Sequence, residues 1–453
     1  MDYDILVLGG GILGCSIAYE LSKYNLNVAL IEKKNDIVDD ISFGNTSIIY
    51  DGSESLDDTT ALLEKEGSQL IIEDCLKFNV KVKKVGALRI SASPEENSNI
   101  EHMYDLAKKR EISGVHILNK DETNLNVENK ALYSENIYEI NPYDLAIAYG
   151  EVACDNGVIF RFQEEVLNIE EITKGFKVTT NKNKFSCKVV INTIFNKANN
   201  KENDSTKVGK NITYFLVNDA EKDIKHLIIK DLKNDEFIFC MPNLLGGIIM
   251  GIKTYSKLSM DKVLDYCKYI IPDMKYEDII TTYNEDKHSS MIIDFADIDQ
   301  GYISVTGNHY SKITLAPAIS KIIIETLSQK MKIKKKKGFN DKRREIYRFK
   351  DMNDEEKNEI ISIDKRYGNI VCICNQITEG EIIDSIRRPL GARTLEGIKK
   401  RTGARIGSCY GSYCDRKIIK ILSKEMDLNP NEINYDSNES KVWTCRIKEF
   451  EDV

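Results

Sequence analysis

The sequence predicts an α/β chain in three parts: a Rossmann-type nucleotide-binding domain, an α+β domain interleaved with it, and a small C-terminal helical domain. Three observations carry this. Residues 3–8, YDILVL, run straight into Gly9-Gly10-Gly11-Ile12-Leu13-Gly14 and then into a helical period. Segments of alternating apolar residues after position 205 read as antiparallel sheet. Near the end, Cys372, Cys374, Cys409 and Cys414 fall as C-x-C and C-x4-C, a four-thiolate set of the kind that holds an iron-sulfur cluster or a structural zinc.

At 453 residues the chain is too long for one hydrophobic core. With 42% apolar and 30% charged residues it has the composition of an ordinary globular protein. A net charge of -8 argues against a nucleic-acid partner. No apolar run is long enough to span a bilayer, and the acidic N-terminus enters a strand with no secretory signal, so a cytoplasmic protein is expected. Of eleven cysteines, Cys15, Cys75, Cys154, Cys187, Cys240, Cys267 and Cys445 stand alone and read as small buried hydrophobes, not as a disulfide framework.

In chain order, Tyr3–Leu8 suits a buried parallel strand. Ile12, Cys15, Ala18 and Tyr19 give the helical period, and a second strand, 27–31, ends at Glu32. Strand, glycine turn, helix, strand and acid together form a dinucleotide-binding unit. Gly9 permits the tight turn, Gly11 lets the backbone approach a pyrophosphate, and Gly14 lets the helix pack on the strand. The helix N-terminus offers unpaired N–H groups to the phosphates, and Glu32 accepts from the ribose hydroxyls. From the motif alone the ligand reads as a nicotinamide dinucleotide.

This opening resembles the D-amino-acid oxidase superfamily of FAD-dependent oxidoreductases, and the resemblance implies FAD. It extends to Phe43–Gly52, FGNTSIIYDG, similar to the segment in which a polar turn passes under the flavin. Asn45 and Gly52 match, while Tyr50 stands where members oxidising glycerol 3-phosphate and 2-hydroxyglutarate carry a histidine. Residues 60–79 read as an amphipathic helix with Leu62, Leu63, Leu70, Ile71 and Leu76 on its apolar side, and residues 79–91 as a β-hairpin. From Asn141 the text resembles the family again: a helix, a strand at 158–162, then Glu164, Glu165 and Val166, whose main chain reads the adenine. Strand 187–191 returns to the nucleotide sheet, and Phe195 replaces the family's glycine after it.

Strands at 214–217, 227–229 and 237–241 and a helix at 260–271 are expected in the second domain. No arginine occurs between Arg161 and Arg343; Lys287 and His288 read as substitute cations or as solvated loop residues. Residues 301–307 form a strand and turn, followed by a helix at 314–319 with Pro317 in its first turn. That pairing resembles the superfamily's last FAD-binding element, with Gly307 at the turn. Lys312 replaces the family's glycine before the helix, either placing a positive charge near the flavin or blocking the site. The run KMKIKKKK at 330–337 reads as a solvated linker, with a membrane-surface or partner-docking patch as the alternative.

Residues Ile370 to Leu422 resemble the bacterioferritin-associated-ferredoxin-like 2Fe-2S domain of anaerobic glycerol-3-phosphate dehydrogenase-like flavoproteins. Thr378 with Glu381 reads as a capping box, and Thr394 as the cap of a second helix. Gly407 and Gly411 free backbone N–H groups for cluster sulfurs. Arg387, Arg388, Arg393, Lys399, Lys400, Arg401 and Arg405 are expected to offset the cluster's negative charge. Structural zinc and free thiols are the alternatives.

The expected organisation is an FAD-binding domain from residues 1–80, 138–204 and 299–330, and a substrate domain from 81–137 and 205–298. A linker (331–366), a 2Fe-2S domain (367–425) and a tail (426–453) follow. The resemblance implies FAD contacts at Gly9, Gly11, Gly14, Glu32, Asn45, Val166 and Gly307, and a 2Fe-2S cluster on the four cysteines. It implies a dehydrogenase of glycerol 3-phosphate or a related hydroxy acid, with electrons leaving to a partner protein or quinone reductase. No catalytic base is singled out, and peripheral membrane association is compatible with the sequence. The rival reading is a degenerate flavoprotein-fold scaffold or electron-transfer subunit with little turnover, supported by Tyr50, Phe195, Lys312 and the arginine gap.

Overall fold

The computed structural model describes the chain except residues 39–46, 92, 94–96, 120–129, 195–210, 218–223, 233–235, 245–246, 255–257, 286–289, 408 and 444–453. Asn45, Phe195, Lys287, His288 and Cys445 therefore lie outside the described residues. Ten α-helices are present among those described: α1 (Ile12–Ser22), α2 (Asp58–Phe78), α3 (Asn97–Lys109), α4 (Pro142–Asp155), α5 (Met260–Cys267), α6 (Lys312–Lys330), α7 (Asp354–Ile363), α8 (Glu379–Arg387), α9 (Leu395–Thr402) and α10 (Asp415–Met426). None is long and apolar enough to cross a membrane.

Strand Tyr3–Leu8 lies inside an eight-stranded sheet, parallel to Val28–Ile31 on one side and to Lys184–Asn192 on the other. Ile159–Arg161 and Tyr302–Thr306 extend the parallel core outward. One face packs on α1, α4 and α6. On the other, Leu6, Leu8, Ala29 and Val190 meet Phe176 and Val178. With both faces covered, residues 5–8 of this strand, ILVL, are uniformly apolar and buried, while the half-buried Asp4 near its start pairs with Lys188.

A second eight-stranded sheet runs from Ile279–Glu285 through Asn211–Val217, Ile248–Thr254, Phe237–Pro242, Leu227–Asp231, Ala87–Ile90 and Ala131–Ser134 to Val115–Leu118. Residues 79–91 are not the expected hairpin. Val82–Lys84 pairs with Tyr138–Ile140, whereas Ala87–Ile90 joins the large sheet, because Gly86 (φ 65°) turns the chain from one sheet to the other.

Helix α2 presents a different face from the one its leucines suggest. Leu62 and Leu76 are 51% and 77% exposed, while Ala61, Glu64, Gly67, Ser68, Ile71, Asp74, Cys75 and Phe78 are buried. Close packing on α6 decides the rotation: a Cβ at Gly67 would lie 1.9 Å from the Thr314 carbonyl oxygen. Glu64 and Asp74 tolerate burial because Ser55 and Tyr149 donate hydroxyl hydrogen bonds to them. Pro317 also differs from expectation. It stands sixth in α6, beyond the free first turn, and removes the hydrogen bond to the Ile313 carbonyl.

The basic segment after α6 is held against the nucleotide domain. Lys334 and Lys336 exchange backbone bonds with Asn25 and Lys23, Lys336 Nζ donates to the Asn156 carbonyl, and Tyr19 Oη donates to Asp341. In the C-terminal part, Val371, Ile377, Ile382, Ile386, Leu395, Ile398, Ile418 and Leu422 form a small core of their own. The tail adds to it: Ile433 is buried, and Asn434 and Tyr435 accept backbone bonds from the start of α9.

Candidate cofactor sites and the seam between them

The glycine turn has the shape that a pyrophosphate requires. Gly9 adopts φ 102°, and a Cβ on Gly14 would lie 1.9 Å from the Gly9 carbonyl oxygen, so only glycine fits there. Gly11 is the N-cap of α1 and supplies no side-chain cap, leaving the first-turn N–H groups to an anion. Glu32 closes the unit: its carboxylate accepts the Gly10 N–H at 2.6 Å and the Lys34 N–H at 2.8 Å. Its main-chain carbonyl accepts from Glu164, which brings Val166, the first residue of strand Val166–Ile172, to the same end of the sheet. Gly307 follows strand Tyr302–Thr306 with φ 118°, where a Cβ would stand 2.3 Å from the Ser290 carbonyl oxygen. These cradles, each closed to a Cβ, fit a dinucleotide lying along the carboxyl ends of the strands.

Beside α6 lies a buried polar cluster that no sequence motif marks. Tyr50 and Tyr310 meet edge to face, with ring centroids 5.2 Å apart. Ser55 Oγ is 3.2 Å from Tyr310 Oη and donates to Glu64 Oε2 at 2.7 Å. Burial pushes the Glu64 carboxyl up to about 7, against the partial opposition of hydrogen bonds from Ser311 and Ser55. Burial likewise holds the Tyr50 hydroxyl well above its ordinary value, so it remains a neutral phenol. Asp51 Oδ2, Glu54 Oε1 and Glu64 Oε1 are buried without a hydrogen-bond partner among the described residues. Arg89 sits over this group, but its fork is taken: Nη1 donates to Glu54 at 2.7 Å, and Nε and Nη2 donate to Asp231. Arg89 thus ties Glu54 to Asp231 at the edge of the cluster. Nothing local in the sequence marks Glu64, Ser55 or Arg89, since the fold alone brings them together. Lys312, expected before α6, is its first residue and half-buried.

The four cysteines meet as two pairs. Cys372 and Cys414 are each 1% exposed, and the Cys414 thiol donates to the Cys372 sulfur. Cys374, exposed, donates to Cys409 with the sulfurs 3.5 Å apart. Hydrogen bonding from Cys414 holds the Cys372 thiol down at about 5, helped by the N–H groups of Arg405, Asn375 and Cys374 against the effect of burial. Cys409 receives the N–H groups of Gly411 and Tyr413. Two sulfur pairs with backbone N–H donors beside them are the set that would hold an iron-sulfur cluster, which would supply one-electron transfer. Gly407 is required by contact, since a Cβ there would come within 2.5 Å of Cys374 Cβ. Thr378 and Glu381 form the expected capping box of α8, and Thr394 caps α9.

Several cations expected to offset the cluster's charge are committed elsewhere. Arg387 pairs with Glu425, Arg401 forks onto Asp36 at 2.6 and 2.8 Å, and Arg388 reaches Glu151 on α4 at 2.7 Å. Arg343 joins Glu151 and Asp144, and Arg348 joins Asp144, so the segment after α6 is stitched into the same seam. Close packing accompanies the charges: a Cβ on Gly150 of α4 would lie 2.9 Å from Leu390 Cδ1. These carboxylates and arginines face one another because each would be costly to bury alone.

Comparison with known proteins agrees with this geometry. Residues 4–326 match the family described as FAD dependent oxidoreductase (DAO), and residues 370–424 match the BFD-like [2Fe-2S] binding domain. The chain is 31% identical to a glycerol 3-phosphate dehydrogenase of Caloramator mitchellensis, over 98% of its own length and 99% of that protein's. It is 25% identical to a glycerol 3-phosphate oxidase of Mycoplasma genitalium, over 74% of this chain and 97% of that one. Among solved structures, the FAD-bound L-alpha-glycerophosphate oxidase of Mycoplasma pneumoniae shares the fold with a TM-score of 0.66 at 21% identity, covering 76% of this chain and 99% of that one. The chain therefore belongs to the DAO family of FAD dependent oxidoreductases, with FAD as its cofactor and a C-terminal BFD-like domain for a [2Fe-2S] cluster.

Proposed function

We propose that the protein is a dehydrogenase of glycerol 3-phosphate or a closely related hydroxy acid, and that its electrons leave through the cluster to an acceptor protein or quinone reductase. The full-length similarity to a glycerol 3-phosphate dehydrogenase supports the substrate class. The observation that carries the chemistry is the buried Glu64–Ser55–Tyr310 chain beside Tyr50.

Gly9, Gly11, Gly14, Glu32, the main chain at Val166, and Gly307 would hold FAD, with Asn45 expected to join them. Cys372, Cys374, Cys409 and Cys414 would hold the cluster. Bound FAD supplies the acceptor for the hydride of the substrate's carbinol carbon. The chain's own residues deal with the remaining proton. Tyr310 takes the hydroxyl proton as it passes its own to Ser55, and Ser55 passes one to Glu64, whose raised basicity makes it the resting place. Tyr50, neutral, donates a hydrogen bond to the substrate oxygen and fixes its position. With this network in place, the scaffold reading is disfavoured.

The test is anaerobic mixing of the purified holoenzyme with glycerol 3-phosphate while flavin and cluster spectra are followed. Rapid flavin bleaching followed by cluster reduction is expected. In Cys414→Ser the flavin should still bleach and the cluster signal should be missing. No bleaching with glycerol 3-phosphate or with short 2-hydroxy acids would sink the reading.

A further inference from the structure

The cluster domain carries a charge opposite to that of the chain. Residues 367–426 hold eleven Lys and Arg against six Asp and Glu, in a protein of net charge -8. Part of this charge is spent internally, on the pairs of Arg387, Arg388, Lys399, Arg401 and Arg405 with nearby carboxylates. A second part lies on one element. Helix α10 starts directly after the ligand Cys414, and its Arg416, Lys417, Lys420 and Lys424 are all exposed. None of the four forms an ion pair with a described residue. Arg416, Lys420 and Lys424 follow one another at four-residue spacing and make a single stripe. Lys417 donates to the Ile370 carbonyl, which places the stripe against the strand that carries Cys372.

Exposed apolar side chains lie in the two cysteine segments. Ile373, between Cys372 and Cys374, is 66% exposed, and Tyr410 and Tyr413, inside the Cys409–Cys414 loop, are 57% and 70% exposed. Large apolar groups around an exposed ligand, bordered by charge, have the make-up of an interface core and rim. The opposite face of α10 is already used, with Ile418, Ile419 and Leu422 buried in the cluster domain. The helix therefore has no apolar side to lay into lipid, which favours a protein over a membrane.

Resting on the reading that electrons leave through the cluster, we propose that this face is the docking surface for an acidic one-electron carrier protein. Ile373, Tyr410 and Tyr413 form the contact's centre, and Arg416, Lys417, Lys420 and Lys424 its steering rim. The rest of the chain repels an acidic partner, so the cationic stripe restricts the productive approach to the place where the ligands are nearest to solvent. One electron crosses in each encounter and reduces the carrier by one. Two encounters remove the pair delivered by one substrate molecule, and no bond is made or broken at the interface.

The experiment uses the dithionite-reduced holoenzyme, which is independent of any substrate assignment, with an acidic flavodoxin as probe. Cytochrome c serves as the basic counterpart, and phosphatidylglycerol vesicles as the lipid alternative. Flavodoxin should bind and be reduced quickly at low salt, with both effects falling as salt rises. The exposed variants K420E and K424E combined should weaken binding by about tenfold or more, and Tyr413→Ser should slow electron transfer. Glycerol 3-phosphate should bleach the flavin of these variants at the parent rate; failure of that reaction in the parent too speaks against the substrate reading only. The proposal is overturned if charge reversal leaves flavodoxin binding unchanged, or if cytochrome c is the better partner. It is equally overturned if vesicles bind through α10 while flavodoxin does not.

Discussion

Arg388 Nε lies 2.7 Å from Glu151 Oε1, and the two side chains are only 6% and 2% exposed. The first directly follows α8 and the second lies in the C-terminal half of α4. A pair so well buried gives little net stability when intact, but its loss is expensive because the remaining charge has no solvent to turn to.

Arg388→Ala should destabilise the folded chain by about 3 kcal/mol, the lower end of the range for a broken buried pair, since Glu151 keeps Arg343. Thermal unfolding and limited proteolysis between residues 331 and 366 would read the effect. An unchanged melting temperature together with unchanged proteolysis would show that the seam does not depend on this pair.

The seam should also open in acid. Burial pushes the Asp144 and Glu151 carboxyls up, but the neighbouring arginines, Arg343 foremost, outweigh it and hold both below their ordinary values. Groups depressed on folding contribute fully above their unfolded value, about 4, and lose that contribution as pH falls through the folded one. Hydrogen exchange at α4 and α8 should therefore rise steeply below about pH 4. Glu151→Gln should blunt that rise, and an acid response identical to the parent's would contradict it.

Glu64 has the opposite sign. Its carboxyl is raised on folding, to about 7, so the folded chain holds the extra proton between the unfolded value and neutrality. Stability from this group is complete below the unfolded value and declines as pH climbs to about 7. Glu64→Gln should flatten the decline. In the same variant the pH-dependent rise in flavin reduction by substrate, centred near 7 in the parent, should disappear. Persistence of that rise would move the proton acceptor elsewhere.

Gly14→Ala places a methyl 1.9 Å from the Gly9 carbonyl oxygen. Purified protein should lose its flavin absorbance and keep the cluster's. Retention of FAD at parental stoichiometry would show that the turn is free to move away, contrary to its tight packing.

What could be read beforehand was chemistry written in adjacent residues. The glycine turn and the Thr378–Glu381 box are local patterns that local geometry enforces, and the C-x-C and C-x4-C spacings are equally local, although the sulfurs pair between the two motifs, Cys372 with Cys414 and Cys374 with Cys409. The buried cluster of Glu64, Ser55, Tyr310 and Arg89 was hidden because no short motif links its members: Tyr310 is 255 residues from Ser55, and the packing of Gly67 on α6 sets the face of α2 that carries Glu64. Arg388 and Arg401 were misread for a related reason. Their number near the cysteines suggested compensation of cluster charge, whereas their partners, Glu151 and Asp36, are separated from them by hundreds of residues.

The fork of Arg401 on Asp36 joins the two halves of the molecule at a sensitive point. Two residues beyond Asp36, the Val38 N–H is donated to the carbonyl of Gly10 in the glycine turn. The loop is thereby pinned at one end by the C-terminal domain and at the other by the site of the pyrophosphate. Whatever docking of that domain contributes to FAD affinity, FAD must return in equal measure to docking. Order of assembly then matters for rates though not for the final balance: a chain whose C-terminal domain has docked first offers FAD a loop already in place.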